Sequence, residues 1–195
     1  MSKEFFNTHA HVWDGFHSEQ DPAKLEQLTA RFDIKPGSKM LDVGSGTGIL
    51  LHYLLRYIGP EGEVVALDYA EEMLKVSRSK KPEPNIRYVT ADVSSIPLKN
   101  EMFDTVVCYS CFPHFDDKPK ALSEINRVLK GKGRLFICHT SSRHEINEMH
   151  RSITAVGHAS LPDGKMISKL LTQAGFGNIT IEDNTASYFA SATKL

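Results

Sequence analysis

Lys39-Met40-Leu41-Asp42-Val43-Gly44-Ser45-Gly46-Thr47-Gly48 joins a short apolar run to three glycines at alternate positions. The run has the length and composition of a strand buried on both faces. Glycines placed directly after a strand let the chain turn tightly and let a ligand approach the main chain. Ile49 to Tyr57 then reads as a helix, so the stretch is strand, glycine loop, helix. The spacing is GxGxG and not the GxGxxG of dinucleotide binders, and by itself it decides little. What surrounds it decides the fold.

Four further apolar runs of strand length follow: Glu63 to Leu67, Ile86 to Thr90, Asp104 to Tyr109, and Arg134 to His139. Between them Ala70 to Lys80 and Lys118 to Lys130 read as helices. In the second of these Leu122, Ile125, Val128 and Leu129 share one face and Gly131 stands where a stop belongs. Strand alternating with helix predicts an α/β fold with a parallel sheet. The end of the chain breaks the rhythm. Met166 to Ala174 reads as a helix closed by Gly175, and Ile179 to Glu182 and Ser187 to Ala192 lie too close together for a crossover helix. These two runs predict an antiparallel hairpin. The expected architecture is therefore a Rossmann-like, doubly wound, mostly parallel seven-stranded sheet with a C-terminal antiparallel hairpin.

Composition bounds the function. Lys and Arg number 23 against 24 Asp and Glu in 195 residues, a formal net charge of −1, so no basic excess exists to hold nucleic-acid phosphates. Three Cys argue against a disulfide framework. The start has no signal-like apolar core and no run is long enough to span a membrane. The expectation is a cytoplasmic chain forming a single domain over 1–195, with a helical cap over 1–34 and a helical insertion over 140–164 covering the sheet's functional edge.

Acidic side chains mark that edge. Asp68 ends the second strand, 26 residues after Asp42, where a carboxylate can accept from both hydroxyls of a ribose. Ala91-Asp92-Val93 closes the third strand with another acid in the equivalent place. The plainer reading of either acid is a cap on the helix that follows.

From about Lys35 to Lys194 the sequence resembles the class I S-adenosylmethionine-dependent methyltransferases, of the small single-domain, type 11-like kind. Pro36 to Leu41 leads into the DVGSGTG loop as in that family. Val64 to Asp68 with Glu72-Met73-Leu74, Ala91-Asp92 with Ile96-Pro97, and Phe103 to Val107 are similar to its next three motifs. Glu124 to Leu129 followed by Gly131-Lys132-Gly133-Arg134-Leu135 is similar to the fifth, with Lys132 where a second adjacent glycine is usual. The resemblance implies S-adenosyl-L-methionine as cofactor, held by Asp42, Gly44, Ser45, Gly46, Thr47 and Gly48 at the loop. Asp68 would take the ribose, Tyr69 the adenine flank, Asp92 and Val93 the adenine edge, and Tyr109 and Ser110 the methionine end, with Met73 also among the cofactor-binding residues.

Methyl transfer from a sulfonium depends chiefly on alignment, with a base where the nucleophile is protonated. Nine His are present, and His9, His11 and His17 in front, His114 after the fourth strand, and His139, His144, His150 and His158 after the fifth sit where the active site should be covered. His114, His139 and His150 are the catalytic candidates, each with a plainer structural reading. His11, Trp13 and Arg143 are candidates for contact with substrate, and Phe5, Phe6 and Trp13 read either as a lid or as helix packing. No metal site is expected: His144-Glu145 lacks the second His of HExxH, and Cys108-Tyr109-Ser110-Cys111 lies along a strand end. The expected partner is a small-molecule methyl acceptor, without nucleic acid or membrane, in a monomer or homodimer. Two other readings stay open: a metal- or metalloid-containing substrate met by the His cluster, and a non-catalytic cofactor-binding protein.

Overall fold

The computed structural model describes residues 2–15, 18–80 and 83–195; His17 lies outside the described residues. Seven strands form one sheet: β1 Lys39–Val43, β2 Glu63–Asp68, β3 Ile86–Thr90, β4 Phe103–Tyr109, β5 Leu129–His139, β6 Phe176–Asp183 and β7 Tyr188–Lys194. Their order is β3-β2-β1-β4-β5-β7-β6. The first five pair parallel, while β7 runs antiparallel to both β5 and β6. This is the mixed sheet expected from the sequence.

Period-two alternation builds two cores. Leu41, Val43, Val106, Cys108, Leu135 and Ile137 face one layer, where they meet α5 (Lys118–Val128) and α7 (Gly164–Gln173). Met40, Val64, Val107, Tyr109 and Phe136 face the other, against α2 (Pro22–Ala30) and α3 (Leu51–Ile58). Burial on both faces explains why the central strands read as unbroken apolar runs. Local chemistry fixes the helix starts: Asp21 Oδ1 accepts from Ala23 N at 2.8 Å, Asp117 Oδ1 from Lys120 N at 2.9 Å, and Asp163 Oδ1 from Met166 N at 2.8 Å.

Two boundaries differ from the sequence reading. Helix α5 stops at Val128 and β5 begins at once, so Leu129 and Lys130, expected as the end of the helix, and Gly131 to Gly133, expected as a loop, are strand. Lys132, the departure from the glycine pattern, is accommodated there at φ 63°. The insertion over 140–164 is helical only in α6 (Arg143–Ser152), which opens on a Ser142–Glu145 capping box; residues 153–163 form turns and extended chain.

The front of the chain forms α1 (Ser2–His9), two short 3-10 turns (Ala10–Gly15 and Ser18–Gln20) and α2. Phe6 and Ala10 pack on Ala70 and Met73 of the β2–α4 region and on Val156 and Ala159 of the insertion, α4 being Glu71–Lys80. The chain thus lays its first segment across the carboxyl ends of the parallel strands. Among the described residues no helix is long and apolar enough to cross a membrane.

Candidate active site

From β1 the chain runs outward through β2 to β3, then returns to β4 on β1's other side. The resulting switch between β1 and β4 opens a crevice beyond the strand ends, the place where such sheets hold ligands. Two adjoining open clefts occupy it, enclosing about 670 and 470 Å3 with the solvent at their mouths. Gly44, Gly46, Ser110 and Trp13 belong to the walls of both.

The larger cavity lies over β2, β3 and β4. Its polar wall includes Asp68, Asp92, Ser110 and Asp116, and its apolar wall includes Phe6, Trp13, Leu67, Tyr69, Met73, Val93 and Phe115, with His114 beside them. Asp68 Oδ2 accepts from Gly46 N at 2.9 Å and Oδ1 from Ala70 N at 2.8 Å, so the acid ties the glycine loop to the start of α4. Burial raises its carboxyl to about 6 against the pull of the backbone N–H groups of Ala70, Gly46 and Tyr69. Asp92 Oδ1 accepts from Ser94 N at 2.7 Å and from Ser94 Oγ at 2.6 Å. The capping reading of both acids is therefore realised, yet both also line the cavity.

The glycines divide by role. Gly44 sits at φ 62°, and a Cβ there would lie 2.5 Å from Cys111 Cβ. Gly46, at φ 53°, has open space where a side chain would stand, the surface a ligand would cover. Gly48 lines neither cavity; its Cβ would fall 2.2 Å from Ser77 Oγ, so it serves the approach of α4 to the loop.

The smaller cavity lies over β1 and β4 and is lined by Glu19, Gln20, Asp42, Ser45, Thr47 and Tyr109 among others. Asp42 is 2% exposed, and burial with the Asp68 charge nearby pushes its carboxyl up to about 8. Asp42 Oδ2 and Ser45 Oγ are buried without a hydrogen-bond partner among the described residues. Unmet buried acceptors at a cavity wall are what a bound donor would satisfy. Thr47 Oγ1 donates to Asp14 at 2.5 Å, and Asp14 pairs with Lys80 at 2.5 Å, joining the front segment to the loop and to α4.

Glu19 is the residue that sequence reasoning missed. It is 4% exposed, and its carboxylate accepts from Ser110 Oγ, from Ser141 N at 3.1 Å and from His139 Nδ1 at 3.2 Å. Its carbonyl accepts from Tyr109 Oη at 2.5 Å. Burial would raise its carboxyl, but the His139 charge and the bonds from His139, Ser110 and Ser141 outweigh that and hold it below the usual range. Ser110, at φ 54°, stands where the two cavities meet.

Several expected site residues lie apart from the cavities. His139 is 1% exposed and bonded to Glu19, and His150 is 4% exposed with Nδ1 3.1 Å from the Ala159 carbonyl; neither lines a cavity. His114 does, with the His150 ring 4.7 Å behind it. Burial, reinforced by His150 and His139, pushes His114 down to about 3, so the ring is neutral. His11 is exposed and Arg143 pairs with Asp183 at 2.5 Å; both lie outside the two walls. No residue of 140–164 lines either cavity, so that segment supports the wall from behind. Among the described residues no group of three or more His, Cys, Asp or Glu is disposed to hold a metal ion. Cys108, Cys111 and Cys138 are buried free thiols.

Comparison with known proteins bears on the family and the fold. The methyltransferase-domain family matches residues 41–137, about half of the chain. The ubiquinone/menaquinone biosynthesis C-methyltransferase UbiE of Teredinibacter turnerae is 33% identical over 144 residues, 72% of this chain and 56% of that protein. The enzyme of the same name from Idiomarina loihiensis is 39% identical over 112 residues, 55% of this chain and 45% of its own length. The chain thus spans about half the length of the curated relatives it matches. A solved S-adenosylmethionine-dependent methyltransferase from Aquifex aeolicus superposes with a TM-score of 0.73 at 25% identity, covering 90% of this chain and 95% of that one.

Proposed function

The chain belongs to the class I S-adenosylmethionine-dependent methyltransferases, and we propose that it transfers the methyl group to a small organic acceptor bound between the glycine loop and the aromatic front segment. The observation that carries this reading is the pairing of two cavities around Gly44, Gly46 and Ser110, one with Asp68 and Asp92 in its wall and one with unmet Asp42 and Ser45 oxygens.

In this reading the larger cavity takes the nucleoside. Asp68 accepts from the ribose hydroxyls with lone pairs left over from Gly46 and Ala70. Asp92 Oδ2 and the Val93 backbone meet the adenine edge, and Tyr69 and Met73 flank its ring. The smaller cavity takes the methionine end, with Asp42, Ser45 and Glu19 as acceptors for its ammonium. The cofactor supplies an activated methyl on a good leaving group. The protein's part is to align donor and acceptor and to exclude water. Trp13 and Phe6 are suited to that task because they roof the crevice.

Incubation with methyl-labelled cofactor and a panel of small metabolites, read by mass spectrometry, tests the proposal. Calorimetry with S-adenosylhomocysteine tests its first half separately. A labelled product and saturable cofactor binding are expected; absence of cofactor binding overturns the reading.

A further inference from the structure

Asp42 and Glu19 stand in the wall of the smaller cavity in opposite states. The Glu19 carboxylate is met by three donors, Ser110 Oγ, Ser141 N and His139 Nδ1, and is held ionised. Asp42 is also buried, at 2% exposed, yet its Oδ2 has no hydrogen-bond partner among the described residues. Ser45 Oγ in the same wall has none either. No Lys, Arg or His lines that wall among the described residues. A buried carboxyl with an open acceptor, another acid for a neighbour and no counter-ion keeps its proton.

Resting on the methyltransferase reading, we propose that Asp42 exchanges a proton for the cofactor: the empty chain holds it as the neutral acid, and seating the ammonium of the cofactor's amino-acid end expels that proton to water. The O–H bond breaks with its electron pair left on Asp42, and the carboxylate left behind accepts from the ammonium. No covalent bond to the ligand forms. A carboxylate–ammonium contact is shorter and stronger than any a neutral acid offers, and in a buried site the attraction of the two charges offsets the burial of each. Without a cation, an ionised Asp42 would set a second negative charge beside Asp68 out of water.

The groups around Asp42 leave this exchange to it. Asp68 of β2 is raised only to about 6 and is largely ionised at neutral pH. Tyr109 of β4, the thiols of Cys111 and Cys138, and Tyr53 of α3 are all pushed up by burial and stay protonated. His52 of α3 is pushed down by burial and carries no charge there. The cations of the surrounding elements are engaged: His139 with Glu19, Lys80 with Asp14 at 2.5 Å, Arg56 with Glu26 at 2.8 Å and Lys24 with the Thr140 carbonyl at 3.2 Å. Burial and the Asp68 charge are what act on Asp42, and they raise it to about 8. Linkage then fixes the sign. An acid protonated when empty and ionised when loaded releases a proton on binding, so affinity rises with pH until that value is reached.

Calorimetry of the full chain with S-adenosylhomocysteine, repeated in phosphate and in Tris, reads the protons exchanged from the difference in apparent enthalpy between the buffers. With Asp42 at about 8, release should be about 0.9 proton per ligand at pH 7 and about 0.5 at pH 8. Affinity should rise close to tenfold between about pH 6 and about pH 7. The probe 5′-methylthioadenosine keeps the nucleoside and the sulfur but lacks the amino-acid end, and it should release less than about 0.3 proton, the share left to Asp68. Asp42→Asn should abolish the release with its circular dichroism unchanged; the pH profile of the parent chain carries the test without any variant. The proposal is overturned if S-adenosylhomocysteine binds without releasing a proton at neutral pH, if methylthioadenosine releases as many, or if Asp42→Asn binds and still releases one. Failure of S-adenosylhomocysteine itself to bind would instead remove the methyltransferase reading, and this inference with it.

Discussion

Glu19 Oε2 and His139 Nδ1 lie 3.2 Å apart across 120 residues of sequence, both side chains almost wholly buried. The pair fastens the front segment to the end of β5. Replacing His139 by Leu strands a buried carboxylate and should cost about 3–5 kcal/mol, whereas Glu19→Gln combined with His139→Leu should cost clearly less than the sum of the single changes. Denaturant unfolding of the four proteins measures the coupling; strict additivity would show the pair to be energetically idle. Because the Glu19 carboxyl is held low in the fold, its contribution is present above the ordinary carboxylate range and is lost as pH falls below it.

Asp42 predicts the opposite pH behaviour. Its carboxyl is raised to about 8 in the fold from 3.8. The stability it allows is full below the lower value and is lost as pH rises through the upper one. Asp42→Asn removes that ionisation, so the ligand-free variant should be more stable than the parent at pH 8 by about 1–3 kcal/mol and equal to it near pH 4. It should also bind S-adenosylmethionine more weakly. Thermal melts across pH, paired with calorimetry, check both halves; a less stable variant at pH 8 would refute the assignment.

Asp68→Ala should weaken cofactor binding by about 1.5–3 kcal/mol, the range for hydrogen bonds to a charged group. Since Asp68 also holds Gly46 and Ala70, Asp68→Asn serves as the conservative companion, with circular dichroism to confirm the fold. Affinity unchanged in both variants would leave Asp68 a structural clamp.

The two loop glycines should separate stability from binding. Gly44→Ala places a Cβ 2.5 Å from Cys111 Cβ and should lower Tm, at a cost of about 1–3 kcal/mol. Gly46→Ala meets open space, costs only its left-handed backbone, roughly 1 kcal/mol, and should instead remove most cofactor affinity. Equal effects of the two on both readouts would contradict this division.

Arg143→Ala opens an exposed pair with Asp183 and leaves both cavity walls intact. Stability should fall by less than about 1 kcal/mol and turnover should stay within about twofold. A collapse of turnover would return Arg143 to the substrate site.

The strands and the acids at their ends were legible because their signals are local. A strand buried on both faces must be apolar throughout, and Asp68 ends such a run, whereas β3 is only half-buried and is marked by its β-branched and aromatic residues, with Asp92 two residues beyond it. The glycine loop was legible except for Gly48, whose partner, Ser77, is set by how α4 docks. Glu19 was not legible. Ser18-Glu19-Gln20 reads as solvated surface, and its burial comes from Tyr109, Ser110, His139 and Ser141, all at least 90 residues away. For the same reason the histidines were over-read. Their crowding in sequence suggested one site, while packing sends His150 to the Ala159 carbonyl and leaves His11 in water.

The roof of the crevice is formed by a segment that precedes the sheet and is anchored on the ends of β4 and β5. Phe6, Trp13 and Glu19 are made before the sheet, yet the groups that receive Glu19 are not complete until residue 141 has emerged. Docking of Glu19 closes a loop of more than a hundred residues, a slow, late contact in folding. Phe6, Ala10 and Asp14 find partners by residue 80, but the Glu19 anchor of the same segment waits until β5 is complete. Bulk attached ahead of Phe6 acts on that last closure, and its signature is a well-folded sheet that fails to retain ligand.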